Sequence, residues 1–162
     1  MKIKLRRFKF SDLEEVMKIK KASFPQPWPE IYFKKLYKEH PNDFLVAELC
    51  SSPRFAGARE VADLAGKVVG YIFLGYAKPN KSGSIKTLAV DSNYRHRGIG
   101  KELVNFIIQR LKGRSVKKVF LHTRRKNRAA SSFYKKLGFR IIKIVKNYYR
   151  NGDDAYLMKK EI

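Results

Sequence analysis

The stretch Leu88-Ala89-Val90-Asp91-Ser92-Asn93-Tyr94-Arg95-His96-Arg97-Gly98-Ile99-Gly100 runs from an apolar strand through a short polar loop into an amphipathic helix. Its Arg-x-x-Gly-x-Gly turn has the makings of an anion cradle. Glycines let the backbone approach a ligand closely, successive N–H groups point outward, and a helix N-terminus adds partial positive charge. Arg95, His96 and Arg97 contribute further charge. The pattern is neither Gly-x-Gly-x-x-Gly nor a Walker loop, since no Lys-Ser/Thr pair follows. Taken alone, so short a motif equally suits a glycine-containing helix start.

Within and beyond this stretch, Ser84–Val90 reads as the strand and Gly98–Leu111 as the helix, with Ile99, Leu103, Phe106, Ile107 and Leu111 on one face. Upstream, Lys2–Lys9 alternates like a first strand, and Ser11-Asp12-Leu13-Glu14 resembles a capping box opening a helix to about Ser23. The Pro-rich segment Phe24-Pro25-Gln26-Pro27-Trp28-Pro29 stops that helix. A second helix is expected from near Pro29 through Tyr37, then an antiparallel pair, Phe44–Leu49 and Lys67–Tyr76. Residues 50–66 are too long for a tight hairpin and read as an insertion between strands two and three, with Ala58–Ala65 either a short helix or strand extension. Downstream follow a strand at Val116–His122, a helix at Arg128–Leu137 stopped by Gly138, and strands at Phe139–Val145 and Ala155–Lys159. This order mixes hairpins with α/β crossovers. It predicts one α/β domain over 1–162, a mixed sheet of about seven strands flanked by about four helices.

A chain of 162 residues with 44% hydrophobic content can fill one core. No stretch reaches the ~20 apolar residues of a membrane-spanning helix, and the basic N-terminus is followed by no apolar signal region. The single cysteine, Cys50, fits a reducing cytosol, so a cytoplasmic protein is expected. His40, His96 and His122 lie scattered without ligand spacing, and no metal is expected. The charge is unusual: Lys+Arg of 37 against Asp+Glu of 14 gives +23. Between Glu102 and Asp153 there is no carboxylate, while fifteen Lys/Arg fall from Arg110 to Arg150. Such a surface attracts polyanions, including RNA and phosphorylated cofactors, or it is a solvated charged face.

A second motif is Leu121-His122-Thr123-Arg124-Arg125-Lys126-Asn127-Arg128-Ala129-Ala130-Ser131-Ser132-Phe133-Tyr134-Lys135-Lys136-Leu137-Gly138-Phe139. Together the two stretches resemble the signatures of the GNAT acetyltransferase superfamily, which uses acetyl-CoA. The resemblance implies that Arg95, His96, Arg97, Gly98, Ile99, Gly100 and Lys101 hold the pyrophosphate. It further implies that the backbone of Leu88, Ala89 and Val90 pairs with the pantetheine arm, the Val90 N–H facing the thioester oxygen. Asn127 would bond the cofactor and Tyr134 would protonate the leaving thiolate. Read without the resemblance, Tyr134 is a core aromatic packing with Phe133 and Phe139.

Asn147-Tyr148-Tyr149 before the last strand, with Phe24-Pro25 between the first helices, resembles the N-terminal Nα-acetyltransferases and the ribosomal-protein alanine acetyltransferases. There the corresponding segments line a groove for a peptide N-terminus, making Phe24, Pro25, Tyr148 and Tyr149 substrate-binding candidates. The bacterial alanine enzymes carry a glutamate where this chain has His122, whereas a eukaryotic branch acting on methionine N-termini carries histidine. That branch also uses a tyrosine where this chain has Ser84. His122 is therefore the candidate base, alone, through water, or with Glu30 or Glu39, and the bland alternative is a structural strand-end histidine. The expected reaction is acetyl transfer to a protein α-amine, with ribosome or RNA contact through the basic surface. Lysine or small-amine acetylation, and an inactive RNA-binding module, remain alternatives. A +23 protein with few carboxylates suits polycationic amine substrates poorly.

Overall fold

In the computed structural model the described residues are 1–50, 65–77 and 81–162. The expected helix or strand extension at Ala58–Ala65 lies almost wholly outside them. Among the described residues seven strands form one mixed sheet in the order β1-β2-β3-β4-β5-β7-β6. They are β1 (Ile3–Arg7), β2 (Phe44–Leu49), β3 (Val68–Ala77), β4 (Ser82–Val90), β5 (Lys118–Arg124), β6 (Arg140–Val145) and β7 (Ala155–Glu161). Four α-helices are described: α1 (Leu13–Ser23), α2 (Glu30–Glu39), α3 (Ile99–Lys112) and α4 (Arg128–Lys136). This is the predicted element order, with boundaries moved by one to three residues. The one parallel pairing described, β4 with β5, joins Ser82–Ile85 to Lys118–Leu121, whereas β1·β2, β2·β3, β5·β7 and β6·β7 are antiparallel.

Packing divides the chain into two compact units: Met1–Phe73 with Thr87–Asn105, and Leu74–Lys86 with Phe106–Ile162. The first is built on aromatic rings. Phe8 stacks on Phe44 at 4.2 Å, and Phe33 and Tyr71 meet edge to face beside them. The start of α1 differs from expectation. Ser11 is not its cap; a 3-10 turn at Phe10–Asp12 precedes the helix, and the Asp12 carboxylate accepts the Lys9 N–H at 2.7 Å. Asp12 also takes a forked ion pair from Arg6, which bonds Glu48 as well. A fully engaged carboxylate so deep in the structure outweighs the local Ser11 preference.

In the second unit Val119, Leu121, Phe139, Ala155 and Met158 are buried. Gly83 permits close packing, because a Cβ there would lie 2.8 Å from Leu111 Cδ1. Gly138 takes φ +85° and its N–H bonds the Lys135 carbonyl, ending α4 as its sequence foretells.

Candidate active site

The phosphate-loop half lies in the first unit. Alternation along β4 buries Thr87 and Ala89 and leaves Leu88 and Val90 half-buried on the other face. The Asp91 carboxylate accepts the Asn93 N–H at 3.0 Å and opens a 3-10 turn at Ser92–Tyr94. His96 (φ 60°) and Gly98 (φ +84°) are then both left-handed, and α3 begins at Ile99. Glu102 N–H closes the first helical bond onto the Gly98 carbonyl. The amides of Ile99, Gly100 and Lys101 therefore point out of the helix end, as the first turn of any helix requires. A Cβ on Gly98 would meet nothing within 4 Å, so space is open there. A left-handed pair ahead of a helix N-terminus suits a pyrophosphate.

Arg95 is placed differently from its neighbours. Its Nε donates to the Val90 carbonyl and an Nη to Ser23 Oγ, both at 3.0 Å. The Asp91 N–H donates to the Val69 carbonyl at 2.9 Å, so the Val90–Asp91 peptide is held from both sides. Arg95 thus fixes the strand end, a positioning task that the motif alone does not reveal. Arg97 sits 5.7 Å from the Tyr94 ring. At the end of α1, Phe24 is half-buried against the aromatic core, its N–H on the Lys20 carbonyl, and Pro25 is exposed. Glu30 and Glu39 are paired with Lys34 and Lys35 of their own helix.

The second unit carries the other candidates. His122, on β5, stacks flat on Tyr148 with 4.2 Å between ring centroids. Burial, and then the charge of Lys86, push its pKa below the ordinary 6.5. Lys86 is a neighbour that sequence reading missed, since nothing local ties it to His122. Tyr148 meets Tyr149 edge to face, and the Arg124 guanidinium lies 3.9 Å from the Tyr149 ring centroid. Burial raises the Tyr149 phenol to about 12. Tyr134 is buried between Phe133 and Phe139, and burial pushes its phenol well above the usual range. It therefore holds its proton at any physiological pH. Asn127 caps α4, its Oδ1 accepting the Ala130 N–H at 2.9 Å, which leaves the amide Nδ2 for other partners.

The turn bearing Tyr148 and Tyr149 is anchored by two carboxylates that the sequence placed only at the border of the basic stretch. Asp153 pairs with Arg124 and Lys126, and Asp154 with Arg125 and Lys146. Asn147, at φ 51°, donates its N–H to Asp154. Four of the fifteen cations are thereby partnered, where sequence order alone showed no anion close by.

Residues 13–139 match the acetyltransferase (GNAT) family. The chain belongs to that family. An N-alpha-acetyltransferase of Sulfurisphaera tokodaii is 31% identical, over 96% of this chain and 90% of that protein. The Ard1 protein of Thermoplasma volcanium superposes with a TM-score of 0.86 at 27% identity, covering 100% of this chain and 99% of the other. Arabidopsis thaliana NAA60, solved with a bisubstrate analogue, gives a TM-score of 0.78 at 25% identity, over 99% and 98% of the two chains. The resemblance drawn from the two sequence motifs is therefore correct.

Proposed function

We propose that this chain transfers the acetyl group of acetyl-CoA to the N-terminal α-amine of a protein or peptide by direct attack. The amine nitrogen bonds to the thioester carbonyl carbon, the C–S bond breaks, and CoA leaves as a thiolate that must be protonated. The loop from Arg95 to Lys101 binds the pyrophosphate, with Arg95 fixing the loop and the Ile99, Gly100 and Lys101 amides facing the anion. The backbone of Leu88, Ala89 and Val90 pairs with the pantetheine arm. The Val90 N–H stabilises the oxyanion that develops on the carbonyl oxygen.

An ammonium has no lone pair, so the acceptor must first lose a proton. His122 takes it, and a pKa held below 6.5 keeps the imidazole free to accept near neutral pH. Tyr134, still protonated at neutral pH, gives its proton to the departing thiolate, and the Asn127 amide contacts the same cosubstrate. Phe24 and Pro25 in the first unit, and Tyr148 and Tyr149 in the second, are the residues assigned to contact with the acceptor. The observation that carries this reading is the His122–Tyr148 stack, which sets a neutral-biased base against a residue of the Asn-Tyr-Tyr segment.

We place the protein in the cytoplasm, where nascent N-termini appear beside RNA. Its basic C-terminal surface suits that setting. No helix among the described residues is long and apolar enough to cross a membrane.

The test is acetyl transfer to paired peptides. One has a free N-terminus and no lysine; the other is N-terminally blocked and carries one lysine. Acetylation of the free N-terminus alone is expected. Transfer to lysine alone would overturn the acceptor assignment.

A further inference from the structure

Within the second unit a cleft of about 800 Å³ opens between α4 and the turn that joins β6 to β7. Arg125, Lys126, Arg128 and Lys135 line it, with Ser132, Tyr156 and the Asp153–Asp154 pair. Tyr156 is the cross-strand partner of Thr123, whereas His122 opposes Leu157. Side chains alternate along a strand, so Tyr156 stands on the sheet face opposite to His122. The cleft is therefore not an extension of the His122–Tyr148 arrangement.

Its charge is unbalanced. Each aspartate already serves two cations, Asp153 taking Arg124 with Lys126 and Asp154 taking Arg125 with Lys146. Arg128 and Lys135 are exposed and pair with no carboxylate among the described residues. Seven positions apart, they lie on one face of α4 with Ser132 between them, separated by about 10 Å along the axis. That row is too long for a single phosphate and suits consecutive ones. Tyr156, at the same cleft, offers an aromatic ring for a base. Cations tracking a backbone beside a ring are what unpaired nucleic acid binds.

We propose that this cleft docks a single-stranded RNA segment, with Arg128 and Lys135 on successive phosphates and Tyr156 under a base. The inference localises the RNA contact suggested above and is independent of which amine accepts the acetyl group.

The experiment is fluorescence anisotropy with a labelled single-stranded RNA of about twelve nucleotides, a length spanning one such site. Affinity is followed between about 50 and 200 mM salt. The double variant Arg128→Ser/Lys135→Ser is expected to bind at least about tenfold more weakly, with the salt slope reduced by about 1.4, the share of two phosphates. A control, Lys112→Ser/Lys143→Ser, removes the same charge from exposed positions outside the cleft and is expected to change affinity less than about twofold. Equal weakening by both variants would make the attraction diffuse and overturn the site. So would failure of the unaltered protein to bind, or displacement of the RNA by a mononucleotide at equal concentration. Acetyl transfer to a short free-N-terminus peptide is read on all three proteins and should be equal. Its absence in the unaltered protein would sink the acceptor assignment while leaving the RNA result standing.

Discussion

The imidazole of His122 lies flat against the phenol ring of Tyr148, 8° from parallel. A stacked neighbour fixes the ring plane, so the direction in which the imidazole nitrogens point is set by the β6–β7 turn rather than by β5 alone. Tyr148 is itself braced by Tyr149, which is covered by Arg124, which is tied to Asp153. The candidate base is oriented through four side chains drawn from two segments.

Its titration gives the first prediction. A base works when neutral, and the His122 pKa of the free protein lies below 6.5, so kcat/KM should rise with pH through a midpoint under that value. His122→Gln should lower kcat by about 100-fold or more and abolish that acid limb. An acid limb that persists unchanged in the variant would remove His122 from the proton path.

Tyr134→Phe keeps the ring contacts with Phe133 and Phe139 and deletes only the hydroxyl. We expect kcat to fall by about 100-fold, as for loss of a general acid, with little change in the KM for acetyl-CoA. Because burial holds the phenol proton so tightly, the unaltered protein should show no loss of rate from Tyr134 ionisation below pH 10. Thermal unfolding of the variant within a few degrees of the parent separates chemistry from packing.

Gly98→Ala tests the loop. The added Cβ has room, but φ of +84° does not suit it, at a cost of about 1–2 kcal/mol. Calorimetric titration should show acetyl-CoA binding weakened by about tenfold as the loop relaxes, a change that equals the same energy. Unchanged binding would mean that the cosubstrate does not need this left-handed turn.

Lys20 is a stability experiment. Its side chain is buried, its Nζ has no hydrogen-bond partner, and it lies over the rings of Trp28 and Phe33 at 4.4 and 3.8 Å. Burial lowers its pKa from 10.5 to about 7. The unfolded chain therefore binds a proton more readily, and this group's contribution makes stability rise with pH from about 7 to 10.5. Lys20→Met should stabilise the protein to urea at pH 7, with the advantage shrinking toward pH 10. A constant difference across that range would show that the amine is not the cause.

What the sequence made legible was local. The strand, loop and helix from Leu88 to Gly100 are dictated by neighbouring residues, and the structure departs from that reading only at element ends. The same holds for Gly138, and the expected antiparallel pairing of β2 with β3 is observed. Relations across the chain were not legible. The hold of Arg95 on the Val90 carbonyl and on Ser23 is a second task that its motif does not reveal. Asn127 also caps α4 through its Oδ1, a task that its place in the motif does not reveal. The approach of Lys86 to His122 depends on strand pairing, which residue spacing does not encode.

The Asp153–Asp154 dipeptide bears on how the last hairpin finds its alignment. Two adjacent acids each gather a separate pair of cations: Arg124 and Lys126 for one, Arg125 and Lys146 for the other. Slipping β7 by a single residue against β5 would put one acid in the other's place, strip the second of its partners, and move the buried Ala155 and Met158 each to the opposite sheet face. Between Glu102 and Asp153 there is no substitute anion, so the dipeptide works as a register lock that favours one alignment.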